Sequence, residues 1–314
     1  MTKVFIDGSV GTTGLRIYER LSKRKDLRLL TLPEETRKDV EARREMLNTA
    51  EIVFLCLPDA AAKESVSLIE NDKTAVIDTS TAHRTDASWA YGFPELSGRR
   101  EKIKSSKRIA NPGCHASGAI ALIAPLVESG IIAKDLQMSV TSLTGYSGGG
   151  KKMIAEYEAE DRNPLLDAPR MYGLSQSHKH LPEISAQCSL ETVPAFLPIV
   201  APFYSGMEVT VPLFAKDVRG SLSDVKEVYK KYYSKGLVHF CEDADESGFL
   251  SAAAYSGRDD MEISVFGNDE RILLVSRFDN LGKGASGAAI QNMNILLGVD
   301  ERTGLTEESY NEDN

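Results

Sequence analysis

The chain has 314 residues, 42% of them hydrophobic and 26% charged, which is enough apolar material for two globular domains. A net charge of −9 without any Lys/Arg-rich block argues against nucleic acid or an anionic membrane as partner, because both demand a positive surface; small metabolites remain. Four scattered cysteines, Cys56, Cys114, Cys188 and Cys241, make no CxxC pair and no Cys/His cluster at zinc-ligand spacing, so neither a disulfide framework nor a metal is expected.

The chain opens on a strand-like run, and no apolar stretch approaches the ~20 residues that span a bilayer, so no signal peptide and a reducing, cytoplasmic setting are expected. In chain order, β-rich runs at residues 3–7 (KVFID), 27–32 (LRLLTL), 51–58 (EIVFLCLP), 74–80 (TAVIDTS) and 108–111 (RIAN) alternate with polar, helix-compatible segments. Short, nearly continuous apolar strands belong to a parallel sheet covered on both faces, which predicts an α/β, doubly wound Rossmann-type dinucleotide domain. Past Gly130 the period changes. GMEVTVPLF places Met207, Val209, Val211 and Leu213 on one face, as in a half-covered, mostly antiparallel sheet. Leu222, Val225, Val228, Tyr229 and Tyr232 then fall at helical spacing behind Ser221 as N-cap, with Asp224 three residues on, predicting an amphipathic helix across that sheet. The second domain is therefore predicted to be α+β. The terminal EESYNEDN reads as frayed and acidic.

Gly8, Gly11 and Gly14, in GSVGTTG, follow the first strand and open a helix. Such a turn lets backbone N–H groups approach a pyrophosphate, and the helix start adds partial positive charge, so dinucleotide binding is favoured over a turn that serves only tight packing. The second strand runs into LTLPEETRKD, where Arg37 and Lys38 suit a ribose 2′-phosphate although Glu34 and Glu35 lie beside them. NADP is preferred to NAD on that ground.

Cys114 stands after Asn111-Pro112-Gly113, a turn signal, at the start of the long apolar run HASGAIALIAPL. There its sulfur meets unpaired N–H groups and the positive end of a helix dipole. A thiol with a pKa near 8.5 is only about 3% ionised at pH 7, whereas one near 6.5 is about three quarters ionised, so this position suits a nucleophile better than a buried filler. The filler reading is kept for Cys56, Cys188 and Cys241.

A thiolate needs a proton-transfer partner, and SHKHLPEI gathers His178, His180 and Glu183 around Pro182. In an extended segment residues i and i+2 point the same way, so the two imidazoles are expected to line one wall, with Glu183 at the following helix start orienting one of them. His115 and His239 read as structural histidines. An acyl-transfer site also needs oxyanion donors, for which the Cys114 N–H and the Asn111 side chain are candidates. Arg84, Lys151 and Gly148, Gly149 and Gly150 offer cations and N–H nests for anionic groups of a ligand, or simply solvate loops.

Taken together, GSVGTTG, DTSTAHR, YGFPELS, NPGCHASG, TGYSGGGKKM, SHKHLPEI and DNLGKGASGAAIQNMN resemble the N-acetyl-gamma-glutamyl-phosphate reductase family in its shorter form, over nearly the whole chain. NPGC and HxHxPE carry more weight than the glycine loop, which many dehydrogenases share. The resemblance implies reduction of an acyl phosphate, N-acetylglutamyl 5-phosphate, by NADPH to the semialdehyde, within arginine biosynthesis. By motif, Cys114 is then the nucleophile and His178 the acid/base, with His180 and Glu183 supporting substrate and histidine. Ser9, Thr12 and Thr13 of the glycine loop, Ser80 of DTSTAHR, and Gly284 and Asn292 near the nicotinamide join the cofactor residues. The last helix, with Ile290, Met293, Leu296 and Leu297 apolar, is implied to return to the dinucleotide domain, giving domains of 1–113 with 285–314, and 114–284. A homodimer or homotetramer is expected from an open face of the second sheet. In the longer form the cysteine is followed by Tyr-Pro-Thr, whereas here His115-Ala116-Ser117 follow it, so the residues beside the thiol are this chain's own.

Two other readings stay open at this level: the same chemistry on aspartyl phosphate by an aspartate-semialdehyde dehydrogenase-type reductase, and a non-catalytic nicotinamide-binding protein using Cys114 as a redox sensor.

Overall fold

The computed structural model describes residues 1–307; the acidic terminal stretch beyond Glu307 lies outside the described residues. The chain divides into two compact units. Met1–Gly113 and Ala285–Leu305 form one, and Cys114–Gly284 with Thr306 and Glu307 form the other.

In the first unit, β1 (Thr2–Asp7), β2 (Leu27–Leu30), β3 (Ile52–Leu55), β4 (Ala75–Asp78), β5 (Ala90–Tyr91) and β6 (Arg108–Ala110) build a six-stranded sheet in the order β2-β1-β3-β4-β6-β5. Every pairing is parallel. The five strands read from the sequence are present, and the two-residue β5 is an addition, too short to show a period. β3 and β4 are buried at every position, because helices cover both faces. Val4, Ile6, Phe54 and Ile77 join one core with Ile17 and Leu21 of α1 (Thr12–Leu21). Phe5, Val53, Leu55 and Val76 point the other way, toward Leu47 of α2 (Val40–Thr49) and Ala62 of α3 (Asp59–Ser67). α4 (Arg99–Ser105) adds Ile103 to the first core. The helix Gly287–Leu297 belongs to this unit and buries Ile290 and Met293 in the same core. Because β1 is flanked by β2 and β3, the winding direction reverses beside it, and the glycine turn leaves the sheet at this switch point.

The second unit holds α5 (Cys114–Glu128), β7 (Ser139–Gly145), α6 (Gly150–Glu158), β8 (Arg170–Met171), α7 (Leu181–Cys188), β9 (Ala195–Ala201), β10 (Met207–Phe214), α8 (Leu222–Tyr232), β11 (Val238–Phe240), β12 (Met261–Gly267) and β13 (Arg271–Phe278). Its seven strands run β11-β12-β13-β10-β7-β9-β8, and all pairings are antiparallel except β11 with β12 and β7 with β9. Met207, Val209, Val211 and Leu213 are buried while their β10 neighbours are half-buried or exposed, as the period-two pattern predicts. The buried face receives α5 at close range: a Cβ on Gly118 would come within 2.5 Å of Val209 Cγ2. α8 carries the expected capping box between Ser221 and Asp224, a device worth about 1 kcal/mol. Its Tyr229 and Tyr233, just past its end, donate to the carbonyls of Leu122 and Ala121 in α5, fixing one helix on the other.

Thr306 departs from the expectation that everything after residue 285 stays with the dinucleotide unit. Its carbonyl accepts the Asp259 N–H at 2.6 Å and its own N–H donates to the Asp259 carboxylate at 2.8 Å, which ties this point of the chain to the second unit. No helix among the described residues is long and apolar enough to cross a membrane.

Candidate active site

The glycine turn divides its residues between two duties. Gly8 has φ +91°, and a Cβ there would lie 2.4 Å from the Cys56 carbonyl oxygen; a Cβ on Gly14 would lie 2.4 Å from the Gly8 carbonyl oxygen. Both glycines are required by the protein's own packing. Gly11 is not, since its nearest neighbour would be 3.5 Å away. It is the N-cap of α1, and no side chain caps that helix, so the first N–H groups of α1 remain for another acceptor. Thr12 Oγ1 is buried there without a hydrogen-bond partner. An uncapped helix start, an orphaned hydroxyl and a glycine the fold does not need fit a pyrophosphate. A cavity of about 460 Å³ adjoins the turn, lined by Asp7, Gly8, Ser9, Leu32, Arg37 and Arg43 among others. Half-exposed Arg37 pairs with Glu34 at 3.2 Å, so its charge is partly matched, and Lys38 also lines this wall. Thr13 is half-buried in the first turn of α1.

Arg43 was not anticipated. It is buried beside this cavity, bonded to Asp7 Oδ2 at 3.1 Å, Ser65 Oγ at 2.6 Å and Glu64 at 3.0 Å. A signal was available: Arg43 sits four residues before the fully buried Leu47, on the apolar stripe of α2, where a charge must have partners.

The DTSTAHR segment is a closed polar turn. Asp78 accepts from the Ser80 amide and hydroxyl and faces His83 Nδ1 at 2.6 Å, and His83 stacks on Trp89 at 4.0 Å. Ser80 thus spends its hydroxyl within its own turn. Arg84 is buried, with Nε and Nη2 donating to the carbonyls of Asn111 and Thr79, a clamp on the backbone before the cysteine. Asn111 Nδ2 donates to the Ala285 carbonyl at 3.0 Å, while its Oδ1 accepts from Asn292. Asn292 Nδ2 also donates to the Gly92 carbonyl, and its Oδ1 is buried without a partner, an acceptor left for an amide-like donor.

In the second unit Cys114 is the first residue of α5 and is only partly buried, unlike Cys188, whose thiol burial pushes up. Cys56, in the other unit, is pushed up to about 12 by burial. Gly284 lies against Cys114: a Cβ on it would come within 3.0 Å of Cys114 Cβ. Asp279 holds this turn by accepting from the amides of Leu281 and Gly282.

Three imidazoles, not two, cluster in this unit, one of them His115 in the first turn of α5. The ring centroids of His178 and His180 are 4.9 Å apart, and those of His115 lie 5.7 and 5.5 Å from them. The expected extended geometry of HxH is corrected: His180 is helical (φ −84°, ψ −14°) and opens α7, so the rings meet across a turn. The His180 amide donates to His178 Nδ1 at 3.3 Å, which orients that ring and leaves Nε2 for chemistry. Burial, and then the Lys179 charge, lower the His178 pKa, so the ring is neutral at pH 7. His180 is 4% and Glu183 1% exposed, with Glu183 in the first turn of α7.

His115 is indeed structural, yet it belongs to the site. Its Nδ1 meets Ser142 Oγ of β7 at 2.6 Å and its Nε2 meets Tyr172 Oη at 2.6 Å, and burial drives its pKa down to about 3. Tyr172 is pushed up by burial and then by the negative charge of Cys114. Neither Tyr172 nor Ser142 carries a sequence signal; they are 58 and 28 residues from the cysteine and arrive by sheet register. Gly148 is exposed in a short turn, where a Cβ would approach Asn280 Nδ2 at 3.3 Å, and Lys151 is exposed near the start of α6.

Fold and site define a class: a dinucleotide unit joined in one chain to a unit bearing a cysteine at a helix start among imidazoles. Residues 3–106 match the model of the semialdehyde dehydrogenase NAD-binding domain, and residues 114–280 that of the semialdehyde dehydrogenase dimerisation domain. Among solved structures, aspartate semialdehyde dehydrogenase II of Vibrio cholerae superposes with a TM-score of 0.70 at 16% identity, covering 95% of this chain and 98% of that one. The Francisella tularensis aspartate semialdehyde dehydrogenase gives 0.68 at 15% identity, over 95% and 100%. Curated relatives named N-acetyl-gamma-glutamyl-phosphate reductase, from Brucella ovis and Brucella canis, are 45% identical over 94% of this chain and 99% of theirs. Within the semialdehyde dehydrogenase class, the chain belongs to the N-acetyl-gamma-glutamyl-phosphate reductase family.

Proposed function

We propose that this chain reduces N-acetyl-L-glutamyl 5-phosphate to the 5-semialdehyde with NADPH, releasing phosphate, through a thioester on Cys114. The observation that supports it most is the partly exposed thiol at the first residue of α5, followed by His115, whose ring centroid lies 5.7 Å from that of His178 in the same unit. Names of relatives at 45% identity point to the same substrate.

The sulfur adds to the acyl carbon, phosphate leaves with the electron pair of the broken C–O bond, and a thioester remains. An acyl phosphate needs little help to lose phosphate, and the thioester accepts hydride more readily than a carboxylate. The helix-start N–H of Cys114 serves the transient oxyanion. Asn111, the other donor considered, already gives its amide to Ala285. When bound, the reduced nicotinamide supplies the hydride. His178, having taken the proton of the Cys114 thiol, passes it to the oxyanion left by hydride addition, giving the thiohemiacetal hydroxyl, and takes it back as the carbon–sulfur bond breaks and aldehyde leaves. His180, opening α7 with Glu183 in its first turn, is the second reading for this proton shuttle.

The residues that would hold the cofactor are the Gly11–Thr12 helix start for pyrophosphate, Arg37 and Lys38 for a 2′-phosphate, and Asn292 Oδ1 for a carboxamide. Lys151 and the Gly148 turn are assigned to the substrate's anionic groups, with Arg84 holding the chain before Cys114. We further propose a cytoplasmic homodimer or homotetramer, supported by the half-exposed side chains Thr141, Leu143, Leu197 and Ile199 on the open sheet face.

The test is phosphate-dependent reduction of NADP by N-acetylglutamate semialdehyde, run beside aspartate semialdehyde and beside NAD. Turnover with the acetylated substrate and NADP is expected. Faster turnover of aspartate semialdehyde would transfer the chain to the other substrate, and no turnover with either would leave a binding protein.

A further inference from the structure

Gly284 has no conformational need to be glycine, since its φ lies outside the left-handed region. Space decides instead. A Cβ on it would stand 3.0 Å from Cys114 Cβ, 3.1 Å from the Asp279 carbonyl oxygen and 3.3 Å from Phe278 Cε2, so one of these neighbours would have to give by a few tenths of an ångström. Two of them are held. The Asp279 carbonyl accepts the Gly284 N–H at 3.0 Å, and its fully buried carboxylate accepts from the Leu281 and Gly282 amides on Oδ1 and from the Gly257 amide and the Ser205 hydroxyl on Oδ2. Asn280 adds to the anchorage, accepting the Gly206 N–H at 2.9 Å and donating to Ser147 Oγ at 3.0 Å. Residues 279–284 are buried throughout, so this turn is fixed from three sides. Phe278 is fully buried and packs its other edge on α5, where a Cβ on Gly118 would lie 2.8 Å from Cε1. Cys114, the first residue of α5 and only partly buried, is the neighbour with room to move.

We propose that Gly284 and Asp279 are positioning residues for the nucleophile: the anchored turn brings a residue without a side chain against Cys114, and that contact sets where the sulfur points. The resemblance to known reductases groups Gly284 with the cofactor residues; on this reading its missing side chain serves the cysteine, and cofactor affinity does not depend on it. A small displacement is enough to matter, because a misplacement of about 1 Å at a reacting group costs about 10²-fold in rate.

The proposal rests on the thiol mechanism but not on the substrate, and its test reads the cysteine directly. The full chain is labelled isotopically at cysteine Cβ and followed by NMR, with Cys114→Ser identifying the Cys114 signal among the four. In Gly284→Ala that signal should move while those of Cys56, Cys188 and Cys241 stay; kcat should fall about tenfold with KM unchanged, and the NADP dissociation constant should equal the parent's. A general loosening of the fold would move Cys188 and Cys241, in the same unit, as well, and that outcome overturns the proposal. So does an unmoved Cys114 signal, and a raised NADP dissociation constant beside it would return Gly284 to the cofactor. Should Gly284→Ala fail to fold, Ser205→Ala takes its place by removing one donor from Asp279 Oδ2. The Cys114 signal should then move and kcat fall about threefold, and an unmoved signal overturns the proposal. A parent enzyme that fails on N-acetylglutamyl phosphate, while Gly284→Ala shifts the Cys114 signal alone, would remove the substrate assignment and leave the contact standing.

Discussion

The two units each begin a helix at their chemistry, and they do it differently. α1 buries three of its ten residues, has no side-chain cap and exposes main-chain donors beside a hydroxyl without a partner. α5 is buried along almost its whole length, and the residues near its start are engaged with side chains from a strand and a distant loop. The first arrangement waits for a ligand; the second is assembled by the protein itself. A helix start is thus a general anion site whose use depends on what surrounds it.

The sharpest way to break this contrast is Cys114→Ser. Turnover should fall by about 10⁴-fold or more, because a hydroxyl lacks the ionisation and nucleophilicity of the thiol, while NADP binding measured by fluorescence titration stays as in the parent. Residual turnover near the parent level would show that the sulfur forms no covalent intermediate.

Next in size are the imidazoles. His178→Asn should lower kcat by about 10²- to 10⁴-fold and remove the acid limb of the pH–rate profile. That limb should lie below the ordinary histidine value of about 6.5 in the parent, because burial and Lys179 both favour the neutral ring. His180→Asn is the control: a larger loss there, with the acid limb gone, would pass the shuttle to His180.

The glycine turn yields a smaller effect with a cleaner internal comparison. Gly11→Ala meets no atom closer than 3.5 Å, so melting temperature should hold while the NADP dissociation constant rises about tenfold. Gly8→Ala forces both a left-handed φ and a 2.4 Å contact with a carbonyl oxygen, so it should lower thermal stability by about 1–3 kcal/mol whether or not cofactor is present. Equal NADP affinity in Gly11→Ala and parent would mean that the turn serves packing alone.

What could be read beforehand follows the range of the interactions. The parallel strands, the β10 alternation, the α8 capping box and the glycine turn are written in residues a few positions apart. Cys114 at a helix start was legible for the same reason, from Pro112, Gly113 and the apolar run. Tyr172 and Ser142 were not, since only the β7–β9 and β8–β9 pairings bring their segments together. HxH drew attention to two rings that do cluster, but through the wrong geometry, because Pro182 starts a helix and turns the segment at His180. Arg43 shows a different gap: a charge on an apolar stripe announces that it is paired, but not that Asp7 and Ser65 are its partners.

His115 provides the smallest and most specific test, because its role in the site has a measurable consequence for stability. Its folded pKa of about 3 lies below the unfolded value of about 6.5, so between those values the unfolded chain binds the extra proton. Stability from this group is fully present above pH 6.5 and declines as pH falls, at up to about 1.4 kcal/mol per unit for a single site. His115→Asn removes that titration and should flatten the denaturant-derived stability curve on the acid side by up to one such slope. The same substitution shortens the reach to Tyr172, so the melting temperature at pH 7 should fall as well. An acid-side slope equal to the parent's would mean that His115 takes up no extra proton on unfolding, and that its burial between Ser142 and Tyr172 does not hold the ring neutral.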